Sequence, residues 1–221
     1  MISLHTGEMW SPKKNVSNIQ MSLTLINVIC LILSNILVVK NIDLFGIPWL
    51  ANTPSILVFP VTYILSDAFS EVYGYKWSRL SATWAMLGSV ICSVLFAVMI
   101  AIPGNNAWQY QDELVHILGS TPRVAFASVF AFWVGDYVND VIFKKLKERD
   151  GEKRFGLRAI LSSLAGKYVD GAIFTLIGLS FLPMSTKINM IINCPFVQVC
   201  IELLLLPVTY LFTNWLRKKE V

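Results

Sequence analysis

The chain has 221 residues, of which 55% are hydrophobic and only 14% charged, with a formal net charge of +4. Soluble domains carry about 25% charged residues, so this composition, with a mean hydropathy of +0.61, excludes an ordinary soluble domain and suits one membrane-embedded bundle. Lys and Arg gather in a few short loops and build no nucleic-acid-binding face.

Residues 1–20 form a polar tail containing Lys13 and Lys14. It lacks the short apolar region and small-residue cleavage site of a signal peptide, so the first apolar stretch is expected to persist as a helix. Apolar stretches of about 20 residues then occur at 21–39, 54–73, 80–102, 124–143, 159–181 and 191–215. They predict an all-α membrane protein, a six-helix transmembrane bundle over 21–217 followed by a basic tail at 218–221. Between the first two stretches, 41–53 contains Gly46-Ile47-Pro48-Trp49, a turn-rich hairpin or interfacial segment. The connection 103–122 has room for a short surface helix, with Trp108 and Tyr110 at headgroup level. Either connection is placed to cover the mouth of a chamber. Pro60 and Pro207 fall inside predicted spans, where each frees a carbonyl one turn earlier and can kink the helix. The cysteines (Cys30, Cys92, Cys194, Cys200) have neither disulfide-framework nor zinc-site spacing and read as small packing residues.

Basic loops set the expected orientation. Lys13 and Lys14, Lys76 and Arg79, the cluster from Lys144 to Arg158, and Arg217 to Lys219 all fall on one side, against Lys40, Arg123 and Lys187 on the other. Both termini are therefore expected to be cytoplasmic.

Six acids lie inside the predicted spans: Asp67, Glu71, Asp136, Asp140, Asp170 and Glu202. Lys167 is the single basic residue among them. A carboxylate at mid-bilayer costs roughly 2.5–3.5 kcal/mol on insertion scales, so such residues usually face a polar interior. At about 1.5 Å per residue, Asp67 and Asp136 fall roughly 20 Å below the outer ends of their helices, and Asp170 about 18 Å above the inner end of its own. Glu202 falls near the middle of the last span. Four spans thus place acids in one layer, with Glu71 and Asp140 a turn deeper.

Asp67 and Glu71, like Asp136 and Asp140, are four residues apart, a spacing that sets both side chains on one helix face. Asn139 lies beside the second pair, and Lys167 is three residues from Asp170. Two carboxylates close together in a poorly solvated site cannot both ionise freely, so each pair is expected to share a proton. Such a chamber suits a proton, a cation, or an uncharged ligand rich in N–H donors. The opposing reading is that the acids only pair with Lys167 and helix-end arginines to fix packing. It suits Asp140 near Lys144 and Glu71 near Lys76, whereas one lysine is too little for Asp67, Asp136 and Asp170 together. Ser34-Asn35 and Ser162-Ser163 are placed to bond across helices or to line the chamber.

Other chemistries find little support. There is no Walker-type glycine loop, and His5 and His116 lie outside the spans and belong to no metal cluster. Gly135-Asp136 is one half of an intramembrane aspartyl-protease pattern, but Trp133 stands where that pattern needs glycine.

The chain resembles the queuosine precursor transporter family, small six-helix bacterial membrane proteins of the vitamin-uptake type. The resemblance covers most of residues 30–217. It rests on Ser34-Asn35 with Lys40, on Phe59-Pro60, Asp67 and Glu71-Val72-Tyr73-Gly74, and on Asp140, Arg158, Ser162-Ser163, Gly166, Asp170 and Phe174. It ends with Glu202 and Pro207-Val208-Thr209-Tyr210 before the basic tail. The resemblance implies no enzyme but an importer in the bacterial inner membrane for a 7-deazaguanine (preQ0, preQ1 or queuine), without cofactor or metal. Its partners would be that small molecule and the lipid bilayer, with no nucleic acid contacted directly and homo-oligomer formation left open. The binding set expected is Asp67, Glu71, Asp136, Asn139, Asp140, Lys167, Asp170, Glu202 and Asn35, with Arg158 at the cytoplasmic mouth. Proton coupling is compatible with the paired acids.

A guanine-like edge offers N1–H and a 2-amino group side by side, which one carboxylate accepts bidentately. Phe59, Tyr63, Tyr137 and Tyr168 are candidates to stack on the ring. The chain departs from the family pattern in having Lys167 where an amide is expected and Gln198 where a lysine is expected. The departure suggests a buried cation moved between helices, with Asp136 or Glu202 as partner. The alternatives are a substrate-binding subunit of an energy-coupling-factor transporter, an intramembrane hydrolase, or a purely structural membrane subunit.

Overall fold

The computed structural model describes residues 16–150 and 155–220, and the chain is mostly helical. Helix α1 spans Asn18–Leu37 and is capped by Ser17, whose hydroxyl accepts from the Gln20 N–H at 3.0 Å. A short antiparallel ribbon follows, β1 (Ile42–Asp43) against β2 (Ala51–Asn52), with Ile42 opposite Asn52 and Asp43 opposite Ala51. Its loop passes through Phe45 and Gly46, both at positive φ. The next segment is broken into three pieces: a 3-10 turn Pro54–Leu57, helix α2 Phe59–Ala68, and a wider π turn Phe69–Tyr73. Gly74 turns the chain sharply with φ 88° and ψ 160°, a conformation that side chains other than hydrogen rarely tolerate. Helices α3 (Tyr75–Ala101), α4 (Gln111–Leu118), α5 (Thr121–Asp150), α6 (Phe155–Gly178) and α7 (Met184–Glu220) complete the fold.

The long segments close into a ring. Neighbours around it are α1, α3, α5, α6, α7 and α2, with α2 returning to α1. The α1–α3 seam is parallel and stitched by two amides: Asn27 donates to Ser81 at 3.1 Å, and Asn35 donates to Ser89. The α5–α6 seam is made by glycines. A methyl group at Gly135 would lie 2.8 Å from Asp170 Cβ and 2.9 Å from the Gly166 carbonyl oxygen, and one at Gly166 would meet the Gly135 carbonyl at 2.8 Å. Backbones come this close only where side chains are absent. Gly171 performs the same service against Pro195 of α7.

Burial is inverted relative to a soluble protein. Buried positions include Ser34, Asn35, Ser81, Ser89, Ser93 and Ser162, while large apolar side chains such as Trp133, Leu204, Leu95 and Leu211 are exposed. In water this arrangement would be untenable, and in hydrocarbon it is the expected one. Among the described residues, four helical stretches are long and apolar enough to cross a membrane: Asn18–Leu37, Lys76–Ala101, Gln111–Leu146 and Met184–Glu220. Of the other two ring members, α2 has 10 residues and needs its flanking turns to reach further.

Both expected connections take the form anticipated, a hairpin at 41–53 and a short helix within 103–122. Trp108 stacks edge-on with Tyr110 and donates through its indole N–H to Gln111 at 3.0 Å. Pro60 differs. It lies in the first turn of α2, where its missing N–H costs nothing, and so starts a helix instead of kinking one. Lys13, Lys14 and Lys153 fall outside the described residues.

The glycine seam is open to test. Gly135→Ala is expected to destabilise the detergent-solubilised protein by about 1–3 kcal/mol, because the clash is with backbone and overpacked methyls cost this much. Gly178→Ala, whose methyl would meet only Ala127 and Phe174 side chains at 3.3 Å or more, is the mild control. A thermal melt showing Gly135→Ala as stable as the parent would refute the close crossing.

Candidate functional site

The ring encloses a cavity of about 410 Å³, the size of a small-molecule site. Every member of the ring contributes to it. Helix α1 supplies Asn27, Ser34 and Asn35; α2 supplies Phe59, Thr62 and Tyr63; α3 supplies Ser78 and Met86. From α5 come Phe132, Asp136 and Asn139, from α6 Ser163, Lys167, Asp170 and Phe174, and from α7 Cys194 and Gln198. The hairpin strand β2 adds Asn52 with neighbouring Thr53, and it is tied to α7 by Asn193 donating to the Trp49 carbonyl at 2.5 Å. At that end Val38, Ala51, Val124, Leu179 and Met190 pack into one buried apolar cluster.

Charges in the wall are organised as ion pairs between neighbouring helices. Arg79 of α3 donates to Asp136 of α5 at 2.6 Å. Lys167 of α6 pairs with Glu202 of α7, and its Nζ also lies 5.1 Å from the centroid of the Tyr63 ring. Asp67 lies within electrostatic reach of Glu202 and Lys167. Beyond the cavity, Arg217 near the end of α7 donates to Glu71 at 2.5 Å. Asp170 is different: it lines the cavity, feels Lys167 one turn earlier, and has no hydrogen-bond partner among the described residues. Ser34 Oγ is likewise buried, lines the cavity, and lacks a partner among the described residues.

Of the residues singled out in the sequence, Asn35, Asp136, Asn139, Lys167 and Asp170 line the cavity. Asp67 and Glu202 do not line it: Glu202 is paired with Lys167, and Asp67, which is exposed, lies within electrostatic reach of both. Glu71 and Asp140 do not line it. Glu71 is 62% exposed and turned to Arg217, because the π turn after Ala68 rotates it away from Asp67. Asp140 is exposed, and Arg79 has already taken Asp136. The expectation of one shared proton in each four-residue acid pair is therefore corrected: Asp136 and Glu71 each face an arginine, not their sequence neighbours. The open partner of Lys167 resolves to Glu202, with Gln198 one turn away in the cavity wall.

Among the aromatic candidates, Phe59 and Tyr63 face the cavity and stack on each other with centroids 6.1 Å apart. Tyr137 is exposed on the outer face of α5, and Tyr168 donates to the Ile192 carbonyl at 3.3 Å, so neither lines the cavity. The side chain of Arg158 falls outside the described residues. Sequence reasoning missed Arg79, which was grouped with the loop cations. Its position near the start of a long helix was legible, but the reach of its side chain to Asp136 was not. Ser81 and Ser89 were also missed. Their spacing of eight residues, matched by Asn27 and Asn35, was the available signal.

A ring of apolar-faced helices around a cavity that carries a few charged and amide side chains defines an integral membrane protein with an internal small-molecule chamber. The chain belongs to the family described as putative vitamin uptake transporter, whose family model matches residues 53–212. No curated protein and no solved structure matches the chain. That description is of a membrane transporter, and the matched segment runs from Thr53 at the hairpin foot to Phe212 in α7, enclosing most of the cavity wall.

The Arg79–Asp136 pair lends itself to a double-mutant cycle. Arg79→Gln leaves a carboxylate unmatched in the wall and is expected to destabilise more than the double variant Arg79→Gln/Asp136→Asn. The coupling energy should be about 0.5–1 kcal/mol, the low end of the range for contacting residues, since both groups are partly solvated. Additive effects in denaturant unfolding would mean that the pair is not formed.

Proposed function

We propose that the protein imports a 7-deazaguanine, a precursor of queuosine such as preQ0, preQ1 or free queuine, across the inner membrane of a bacterium. In this reading all six ring members span the bilayer and both termini are cytoplasmic. The observation that carries it is Asp170, a carboxylate facing a cavity of about 410 Å³ with no hydrogen-bond partner among the described residues. A half-buried carboxylate that lines a cavity and has no partner is free to accept from a ligand that supplies donors. The guanine-type edge, with N1–H beside the 2-amino group, supplies two in the geometry a carboxylate accepts. The stacked pair Phe59 and Tyr63 presents a ring face for a planar base. Asn139, Asn35 and Ser34 are the further polar groups available to the rim of the ligand.

Asp136 and Lys167 serve in this reading as the charged part of the wall, with Glu202 holding Lys167 and Asp67 within electrostatic reach of both. Glu71 and Asp140 have no role in binding. Transport proceeds by alternating access. The apolar cluster Val38, Ala51, Val124, Leu179 and Met190 seals the hairpin end, while exposed Ser66 and Ser163 border the opposite end. This arrangement suits a state open toward the cytoplasm. Release of the seal requires the hairpin to part from α7, breaking the Asn193 bond to Trp49.

The test is rescue of queuosine in tRNA. A strain that neither makes the precursor nor has its own importer is supplied with each base, with and without this protein. Uptake by the parent is expected, and Asp170→Asn should reduce it roughly 10–150-fold, the worth of a charge-assisted hydrogen bond. No rescue by the parent with any of the bases would reject the substrate assignment. Full uptake by Asp170→Asn would remove this residue from the site.

A further inference from the structure

We propose that Lys167 sets the charge of the ligand that the chamber accepts, acting as a specificity-determining residue against ligands that bring their own cation. The inference rests on the reading of the cavity as the transport site. Among the described residues lining the cavity, Lys167 is the one that carries a positive charge; Asp136 and Asp170 are the acids. Asp136 is already matched by Arg79 from behind the wall. Lys167 is anchored from behind by Glu202, which fixes its ammonium at the cavity surface and prevents it from swinging away.

The position of that ammonium gives it leverage. It lies three residues before Asp170 on α6, so a ligand gripped by Asp170 lies within one helical turn of it. It also covers the Tyr63 ring at 5.1 Å, the aromatic face that a cationic arm of a ligand would otherwise occupy. Two ammonium groups about 6 Å apart repel by the equivalent of roughly a hundredfold in affinity at the screening typical of protein surfaces. Glu202, paired with Lys167, and Asp170 and Asp67 near it offset part of this, leaving a net penalty of about tenfold. A neutral substituent, a nitrile for example, escapes the penalty and can accept a hydrogen bond from the ammonium. The same internal charge replaces, inside the protein, the cation that an acidic chamber would otherwise draw from its ligand.

The experiment compares initial uptake of two 7-deazaguanines in importer-deficient cells at neutral pH. One carries an uncharged nitrile and the other a protonated aminomethyl arm. The readout is the ratio of the two rates, which is independent of how much protein reaches the membrane. Lys167→Gln and, as a second neutral variant, Lys167→Met are expected to shift the ratio about tenfold toward the cationic base, whereas Lys167→Arg should hold the parental ratio. An unchanged ratio in both neutral variants overturns the proposal, provided the parent transports either base. If the parent transports neither, the transport reading itself falls, and the two failures are thereby told apart.

Discussion

The approach of α5 to α6 through Gly135 and Gly166 is the contact on which the site depends. With no Cβ on either residue, each backbone carbonyl sits against the facing helix, and a methyl group on either would meet atoms at 2.8 Å. This closeness places Asp136 and Asn139 of one helix beside Lys167 and Asp170 of the other, so that four polar groups share one cavity wall. Larger residues at the crossing would push the helices apart and separate the groups before any ligand arrived. In a bilayer there is no hydrophobic drive to bring helices together, and small residues with interhelical hydrogen bonds take over that task.

The remaining seams of the ring follow the same logic with different chemistry. Amide-to-hydroxyl bonds join α1 to α3, the Arg79–Asp136 pair joins α3 to α5, Lys167–Glu202 joins α6 to α7, and Arg217–Glu71 ties α7 to the turn after α2. These contacts fasten the scaffold and at the same time dispose of charge. Three of the six acids singled out in the sequence are matched by a cation from another helix, and of the remaining three only Asp170 lines the cavity. Lys167 belongs to both sets, since it fastens α6 to α7 and also faces the cavity.

Apparent like-charge pairs in the sequence turn out to be separate residues with separate partners. Four-residue spacing places side chains on one face only if the helix stays α-helical, and the π turn from Phe69 to Tyr73 breaks that condition between Asp67 and Glu71. For Asp136 and Asp140 the helix is regular, but a cation from another helix reaches one and not the other. Proton sharing was a sound inference from two isolated carboxylates and fails once Arg79 is counted.

Much of this protein is legible in the bare chain. Hydropathy alone located the long helices, with ends that differ by as much as seven residues, because a stretch able to sit in lipid must be apolar over about 20 positions. The cost of charge in lipid then marked Asp136, Lys167 and Asp170 as residues of an interior. What the chain could not specify was the order of helices around the ring and the direction of long side chains. Arg79 reads as a loop cation by position, and only the packing of α3 against α5 turns it inward to Asp136. Likewise the partner of Lys167 was open between Asp136 and Glu202 until the neighbour of α6 on each side was known. Depth along a helix is written in residue number at a fixed rise, whereas azimuth and neighbour are set by contacts between residues far apart in sequence, and those arise only when the ring closes.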